Sequence, residues 1–590
     1  MTSSKYIVKY LLSIFRRVDP VDKISVATLE ELINGPKVVR GNNHNIVVFA
    51  DQGQCYAVDN RCPHMGFPLD RGTVKNGILT CHWHQARFDL SSGCTFDLWA
   101  DDVLRFTTCV EDGQVFVSAD PEEQRDIEFY RRRLIQGIEQ DVSLVQAKSL
   151  LSILESGAEL DSLLNDVIGY AVDNLDEMSE GLTRLGCIAN LYPNLTADVA
   201  YQGIFYAIRK LSQETAGAIR HRRKDALSGE GYAHGQLKAW LHQWVQTRHT
   251  DGTERTLLTG LSRPDGEMAD LVFSVASQRL YANGGHLLES CNKAFEFGKR
   301  CPSYKKAIFP LLVDPLTQSR GREESTNWHH PIDIIQPLAK VDEQLPQVIS
   351  NNQGSGQPAE TTRNILLGDD PLTIIDHLLR SMKDDVAPVL LAREVCYAAA
   401  MRLARFATSN EVTDWFNPQH TFIFCHAATR AIEQSPTAEV VRAMFQGAIS
   451  VYMDRFLNVP PARLPSEHNR ADLPGTADGL LKKLLEQLDQ RANIDDTAAL
   501  TATYIERGFP FKALVNTLTL ATIREDLDFH SLQVLDAAVQ QCVNWNDQQV
   551  VENIMVGVTR NLAAHCPTRR AGQQTARIAA KLQSGEAVYE

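Results

Sequence analysis

At 590 residues the chain is too long for one compact core, and about three folded units are expected. Its 44% hydrophobic content supports large buried cores, while a net charge of −14 argues against a nucleic-acid partner. No apolar run approaches the roughly 18 residues that a membrane-spanning helix needs.

Residues 6–15 are apolar but interrupted by Lys9 and lack a cleavage-type end, so they read as a short amphipathic helix rather than a signal peptide. Short β-strands are expected next, at 45–49 and 55–59 around an Asp51-Gln52-Gly53 turn. More follow at 87–90, 103–109 and 114–118, where Asp112-Gly113 is a hairpin signal. Short strands with tight turns make a small antiparallel barrel or sandwich.

Between those strands lie Cys62-Pro63-His64 and, sixteen residues on, Cys81-His82-Trp83-His84. Each loop offers one thiolate and one imidazole. Zinc sites also use two Cys and two His, but usually as C-x₂₋₄-C with H-x₃₋₅-H. One Cys and one His per loop suits two sulfide-bridged irons better, since His₂ on one iron and Cys₂ on the other is the Rieske ligand set. Gly66 and Gly93 flank the loops, where backbone wrapping a cluster needs positive φ or close approach.

On these residues, 15–119 resembles a Rieske [2Fe-2S] ferredoxin-type domain. The resemblance implies one cluster per chain, with Cys62 and Cys81 on the inner iron and His64 and His84 on an outer iron near the surface. It also implies an external reductase or other redox partner. High-potential members of that family carry a disulfide between the loops, where this chain has Phe67 and Trp83. They also carry Ser and Tyr hydroxyls, where this chain has Ala86 and Phe88. Losing those donors lowers the potential, so a cluster at the negative end of the Rieske range is expected. The family's Gly-Pro-rich loop is replaced by residues 94–101, which leaves the cover over the cluster unassigned.

From about Pro121 the apolar period changes to three and four residues, as in Leu144, Ala147, Leu150, Leu151 and Leu154. A large all-α region is expected, and it contains two echoes of itself. Gln202-Gly203 and Gln446-Gly447 sit in matching apolar contexts. Ala276-Ser277-Gln278-Arg279 leads to His286, as Ala521-Thr522-Ile523-Arg524 leads to His530. Gln202 and His286 are as far apart as Gln446 and His530. We therefore read two pseudo-repeated helical halves, 121–345 and 364–590, joined by a polar linker at 346–363.

Several side chains here invite a functional reading. His286 and His530 occupy matching positions and could share a metal, act as a pair of proton donors, or simply fix a helix start by hydrogen bonding. His420 and His426 are six apart, which separates them on a helix unless both face a cavity. His330 lies in an unusual loop, 322–331, rich in charge and aromatics. His234, His242 and His249 read as surface or packing residues. The run 420–426 resembles helical proteins of the questin oxidase type, without carrying any residue role over. No D-x₂-H-x₄-H motif of ring-hydroxylating oxygenases is present, and no G-x-G-x-x-G follows a strand.

The expected function is one-electron transfer from the cluster to a site in the helical region, in an oxidoreductase of monooxygenase-like type acting on a small molecule. Two alternatives stay open: a ferredoxin-like carrier whose helical region docks a partner enzyme, and a redox sensor or scaffold. Outside the two motifs the cysteines lack paired spacing and read as thiols of a reducing compartment, hence a cytoplasmic chain.

Overall fold

A computed structural model describes residues 23–122, 125–220, 224–229, 231–326, 332–466, 472–491 and 493–584. The helix expected at 6–15 and the candidate His330 lie outside the described residues. Two compact units emerge. One comprises 23–137, 142–156 and 574–584; the other comprises 138–141 and 157–573.

The first unit holds ten strands: β1 (Lys23–Thr28), β2 (Lys37–Arg40), β3 (Asn45–Asp51), β4 (Gln54–Asp59), β5 (Thr73–Lys75), β6 (Ile78–Thr80), β7 (Arg87–Asp89), β8 (Arg105–Phe106), β9 (Thr108–Glu111) and β10 (Gln114–Ser118). They pair antiparallel in three small sheets, β1-β10-β9, β2-β3-β4-β8 and β5-β6-β7. Three two-residue turns join neighbouring strands. Gln52-Gly53, Asn76-Gly77 and Asp112-Gly113 all have positive φ at both positions, which matches the right-handed twist of the flanking strands.

Strand β3 explains why its sequence runs apolar without alternating. Val47 and Phe49 enter one core with Val58, Leu79, Phe88 and Val103, while Ile46 and Val48 enter a second with Phe106 and Val117. Both faces of the strand are buried, so both residue sets must be apolar. Cys62 and Cys81 belong to the first core. The helices Ser143–Glu155 and Gln574–Gln583 pack on each other in this same unit. The second of them bears on the first ligand loop, because a Cβ added at Gly66 would come within 2.9 Å of Leu582 Cδ2.

The second unit is built of packed helices, so the chain is a small β-sheet domain followed by a large helical region. Glycine sets two of its close crossings. A Cβ at Gly203 in helix Ala197–Thr215 would meet Ile188 at 2.8 Å, and one at Gly447 in helix Ala438–Met453 would meet Cys425 Sγ at 2.8 Å. The two Gln-Gly echoes thus mark helix contacts. The stretch expected as a linker opens as the last turns of helix Ile335–Asn351, and the backbone of Gly354 and Ser355 then donates to the Asp385 carboxylate.

Candidate functional site

The two loops that follow β4 and β6 have the same backbone plan. Cys62 N donates to Phe67 O and Gly66 N to Cys62 O, at 2.9 and 2.7 Å; Cys81 N donates to Ala86 O and Gln85 N to Cys81 O, at 2.8 and 3.0 Å. The fifth residue of each loop is left-handed, Gly66 at φ 77° and Gln85 at φ 65°. Gly93 is also left-handed, and any Cβ there would lie 2.4 Å from Val103 O. Each loop turns its amides toward its own sulfur: His64 and Met65 N–H point at Cys62, and Trp83 and His84 N–H at Cys81.

The thiols of Cys62 and Cys81 are buried against each other. Their shared hydrogen bond pushes Cys81 down to about 6 and Cys62 up, so the thiolate is favoured at Cys81. The imidazoles of His64 and His84 lie edge to face with centroids 4.7 Å apart. Burial, with the charges of His84 and Lys148 beside it, holds His64 down to about 4, the neutral form that binds metal. Its Nδ1 is buried and has no hydrogen-bond partner among the described residues. Two facing thiols, two adjacent imidazoles and an orphaned ring nitrogen are the donor set that a sulfide-bridged pair of irons requires.

A Rieske [2Fe-2S] domain is matched at residues 22–101. The 3-phenylpropionate/cinnamic acid dioxygenase ferredoxin subunit of Photorhabdus laumondii is 30% identical over 105 residues, which are 18% of this chain and 100% of that relative. The chain belongs to the Rieske [2Fe-2S] family. The ferredoxin component of the naphthalene 1,2-dioxygenase/salicylate 5-hydroxylase systems of Ralstonia sp is 32% identical over 71 residues, 12% of this chain and 68% of that one. Apoptosis-inducing factor 3 of Homo sapiens is 31% identical over 97 residues, and the match spans only 16% of that relative's length.

A Rieske [2Fe-2S] cluster is thus the cofactor of this domain, and it serves electron transfer. The positions where a disulfide was weighed hold Phe67 and Trp83, whose rings lie 5.9 Å apart, and all twelve cysteines are free. The segment 94–101 supplies a cover of its own. Trp99 sets its ring edge-on to His64 at 4.6 Å. Asp101, two residues on, is buried and paired with Arg133 at 2.7 Å and with Lys148, whose Nζ also donates to Pro63 O at 2.6 Å. Burial alone would raise the Asp101 carboxyl, but Lys148 and Arg133 bring it down to about 2. No sequence pattern marked Trp99, Asp101 or Lys148, because their partners come from distant segments.

In the helical unit, His286 begins helix His286–Arg300 and His530 begins helix His530–Cys542. Their Nε2 atoms are 3.2 Å apart. His420, in helix Phe416–Gln434, joins them with its ring 4.8 Å from His286 and 4.6 Å from His530. One donor atom from each of the three falls within 4.8 Å of the others. Burial, with neighbouring imidazoles second, lowers His286 to about 4 and His420 to about 3.

His426 does not join this group. It is buried elsewhere with Nδ1 2.9 Å from Gln541 Nε2. Of the other three histidines singled out, His234 pairs with Asp270 at 2.7 Å, His242 lies 3.2 Å from Ser274 Oγ, and the exposed His249 caps helix Thr250–Gly260. In the loop around 322–331, Glu324 pairs with Arg248 at 2.9 Å. A cavity of about 810 Å³ reaches His286 and Gln533, and another of about 290 Å³ reaches His420 and Asp454. Burial raises the Asp454 carboxyl to about 7.

Proposed function

We propose that this chain is an electron-transferring oxidoreductase whose cluster is held by Cys62 and Cys81 on one iron and by His64 and His84 on the other. The observation that carries the reading is the pair of matched loops, which seat two thiols in one core and two imidazoles 4.7 Å apart. When bound, the cluster supplies a one-electron couple. The protein's part is to bury the sulfurs, to turn four backbone amides toward them, and to keep the imidazole pair at the edge of the domain. Trp83 beside His84 is 37% exposed, which supports approach of an external reductase at that edge.

The electron goes to a site in the helical unit, where a small-molecule substrate would react. A covalent connection holds donor and acceptor at high effective concentration. The open clefts beside the histidine group favour this over a carrier that only docks another enzyme, and over a sensor, since neither of those needs a recess for a small molecule. Two pseudo-repeated halves remain our reading of that unit, supported by His286 and His530 starting helices 244 residues apart. Free thiols throughout fit a reducing compartment such as the cytoplasm.

The test is anaerobic purification of the full chain with iron, zinc and acid-labile sulfide assays. Two irons and two sulfides in a coloured, one-electron-reducible protein are expected. Colourless material, or zinc with no sulfide, overturns the reading.

A further inference from the structure

We propose that His286, His420 and His530 form a second metal site, for one first-row divalent transition metal, inside the helical unit. Around a tetrahedral ion with metal–nitrogen bonds of about 2.1 Å, neighbouring nitrogens stand about 3.4 Å apart. His286 and His530 already meet at 3.2 Å, and the widest separation in the trio is within 4.8 Å, a small rotamer adjustment from closure. Three imidazoles favour zinc, iron, copper or nickel over magnesium or calcium.

The surroundings are those of a built site. Asp528 Oδ2 lies at ion-pair distance, 3.0 Å, from His530 Nδ1, the ring nitrogen that does not face His286. Without an ion, His286 and His530 satisfy each other through one hydrogen bond, but His420 Nε2 is buried with no hydrogen-bond partner. The backbone leading to His286 is left-handed at Tyr281, Asn283, Gly284 and Gly285. Tyr rarely adopts that conformation, and it persists where surrounding structure holds it. Here Gln446 holds it, accepting from Tyr281 N and donating to Ser277 O, both at 3.0 Å.

Three protein ligands leave at least one position open on the ion, as in catalytic rather than structural sites. His286 opens on the larger cavity and His420 on the smaller, so an exogenous ligand can reach that position. Metal binding here is independent of the cluster. Only the use of this metal as the cluster's electron acceptor rests on the function proposed above.

The experiment is metal analysis of the full chain, with Cu²⁺ as an added probe followed by paramagnetic resonance on the oxidised protein. Wild type should hold one metal beyond the cluster's two irons, or take up one Cu²⁺ with imidazole-nitrogen splitting. His420→Gln and His530→Gln should each lose that metal or signal while keeping the cluster's visible absorption and the helical circular dichroism. Cys81→Ser should do the reverse. Equal metal content and equal Cu²⁺ spectra in wild type and both folded histidine variants overturn the proposal, whatever the cluster does.

Discussion

The two ligand loops and the histidine group bring side chains together by opposite routes. Cys62, His64, Cys81 and His84 come from one hairpin-rich segment in which each loop closes with the same pair of backbone bonds. Their convergence is local, set by left-handed turn residues and three-residue strands over one core. His286, His420 and His530 come from three helices and meet only through helix packing and a glutamine clamp reaching from another helix. A local site tolerates change elsewhere in the fold. A site assembled by packing does not, because displacing any one helix separates its ligands.

The sharpest break in this comparison is removal of one cluster ligand. Cys81→Ser or His64→Ala should abolish the visible absorption and acid-labile sulfide while the helical far-ultraviolet signal stays, since the helical unit has its own core. A spectrum unchanged by either substitution sinks the ligand assignment.

This contrast also explains what could be read in advance. The C-x-H and C-x-x-H pair is short-range, so the loops, the turns at 51–53 and 112–113 and most strands around them were legible, but the single strand expected at 103–109 is two, β8 and β9, in different sheets. Strands β5 and β6, each three residues long, were not. Strands β1 and β2 carry mostly half-exposed residues and give weak alternation. In the helical unit, equal spacing paired His286 with His530, but nothing in sequence joined His420 to them. Six residues of helix rightly separated His420 from His426, and only packing decided which of the two would meet the others.

A second test asks how far the loops depend on helices. Lys148 from helix Ser143–Glu155 ties the Pro63 carbonyl to the buried Asp101 carboxylate. Lys148→Met leaves Asp101 with Arg133 alone, and losing one charged hydrogen bond costs about 1.5 kcal/mol. Asp101 has its carboxyl lowered to about 2, so its stabilisation is full above the ordinary carboxylate value and is lost as pH falls through 2. The variant should bleach at lower denaturant and at higher pH than wild type under acid titration. Equal midpoints would show that the β-sheets alone hold the loops.

The helical unit has a counterpart in His426, fully buried and lowered to about 3 by burial first and then by Arg430 and Lys293, with Glu296 opposing. Folding then excludes a proton that the unfolded chain binds below about 6.5, so this group's stabilisation is present above that pH and falls by about 1.4 kcal/mol per unit below it. His426→Gln removes the effect, while Glu289 and Asp454, raised to about 7, act with the opposite sign equally in both proteins. The stability gap between wild type and variant should shrink by about 2 kcal/mol from pH 7 to pH 5 in urea unfolding. A constant gap would mean that His426 binds a proton as readily inside the fold as in the unfolded chain.

The smallest expected effect returns to the cluster. Ala86 and Phe88 are fully buried and offer no hydroxyl, so at those two positions the loops add no donor to the backbone amides that face the sulfurs. The midpoint should therefore fall near the negative end of the Rieske range, about −150 mV, and a value above zero would contradict that account. Ala86→Ser adds one donor beside a loop whose backbone is already fixed by the Cys81 N to Ala86 O bond. A hydrogen bond to a charged acceptor contributes about 1.5 kcal/mol. For one electron that is a rise of about 60 mV, since 59 mV is tenfold in the equilibrium. A shift in that direction with unchanged metal content would identify missing donors, rather than solvent exposure of the imidazole edge, as what sets the potential of this domain.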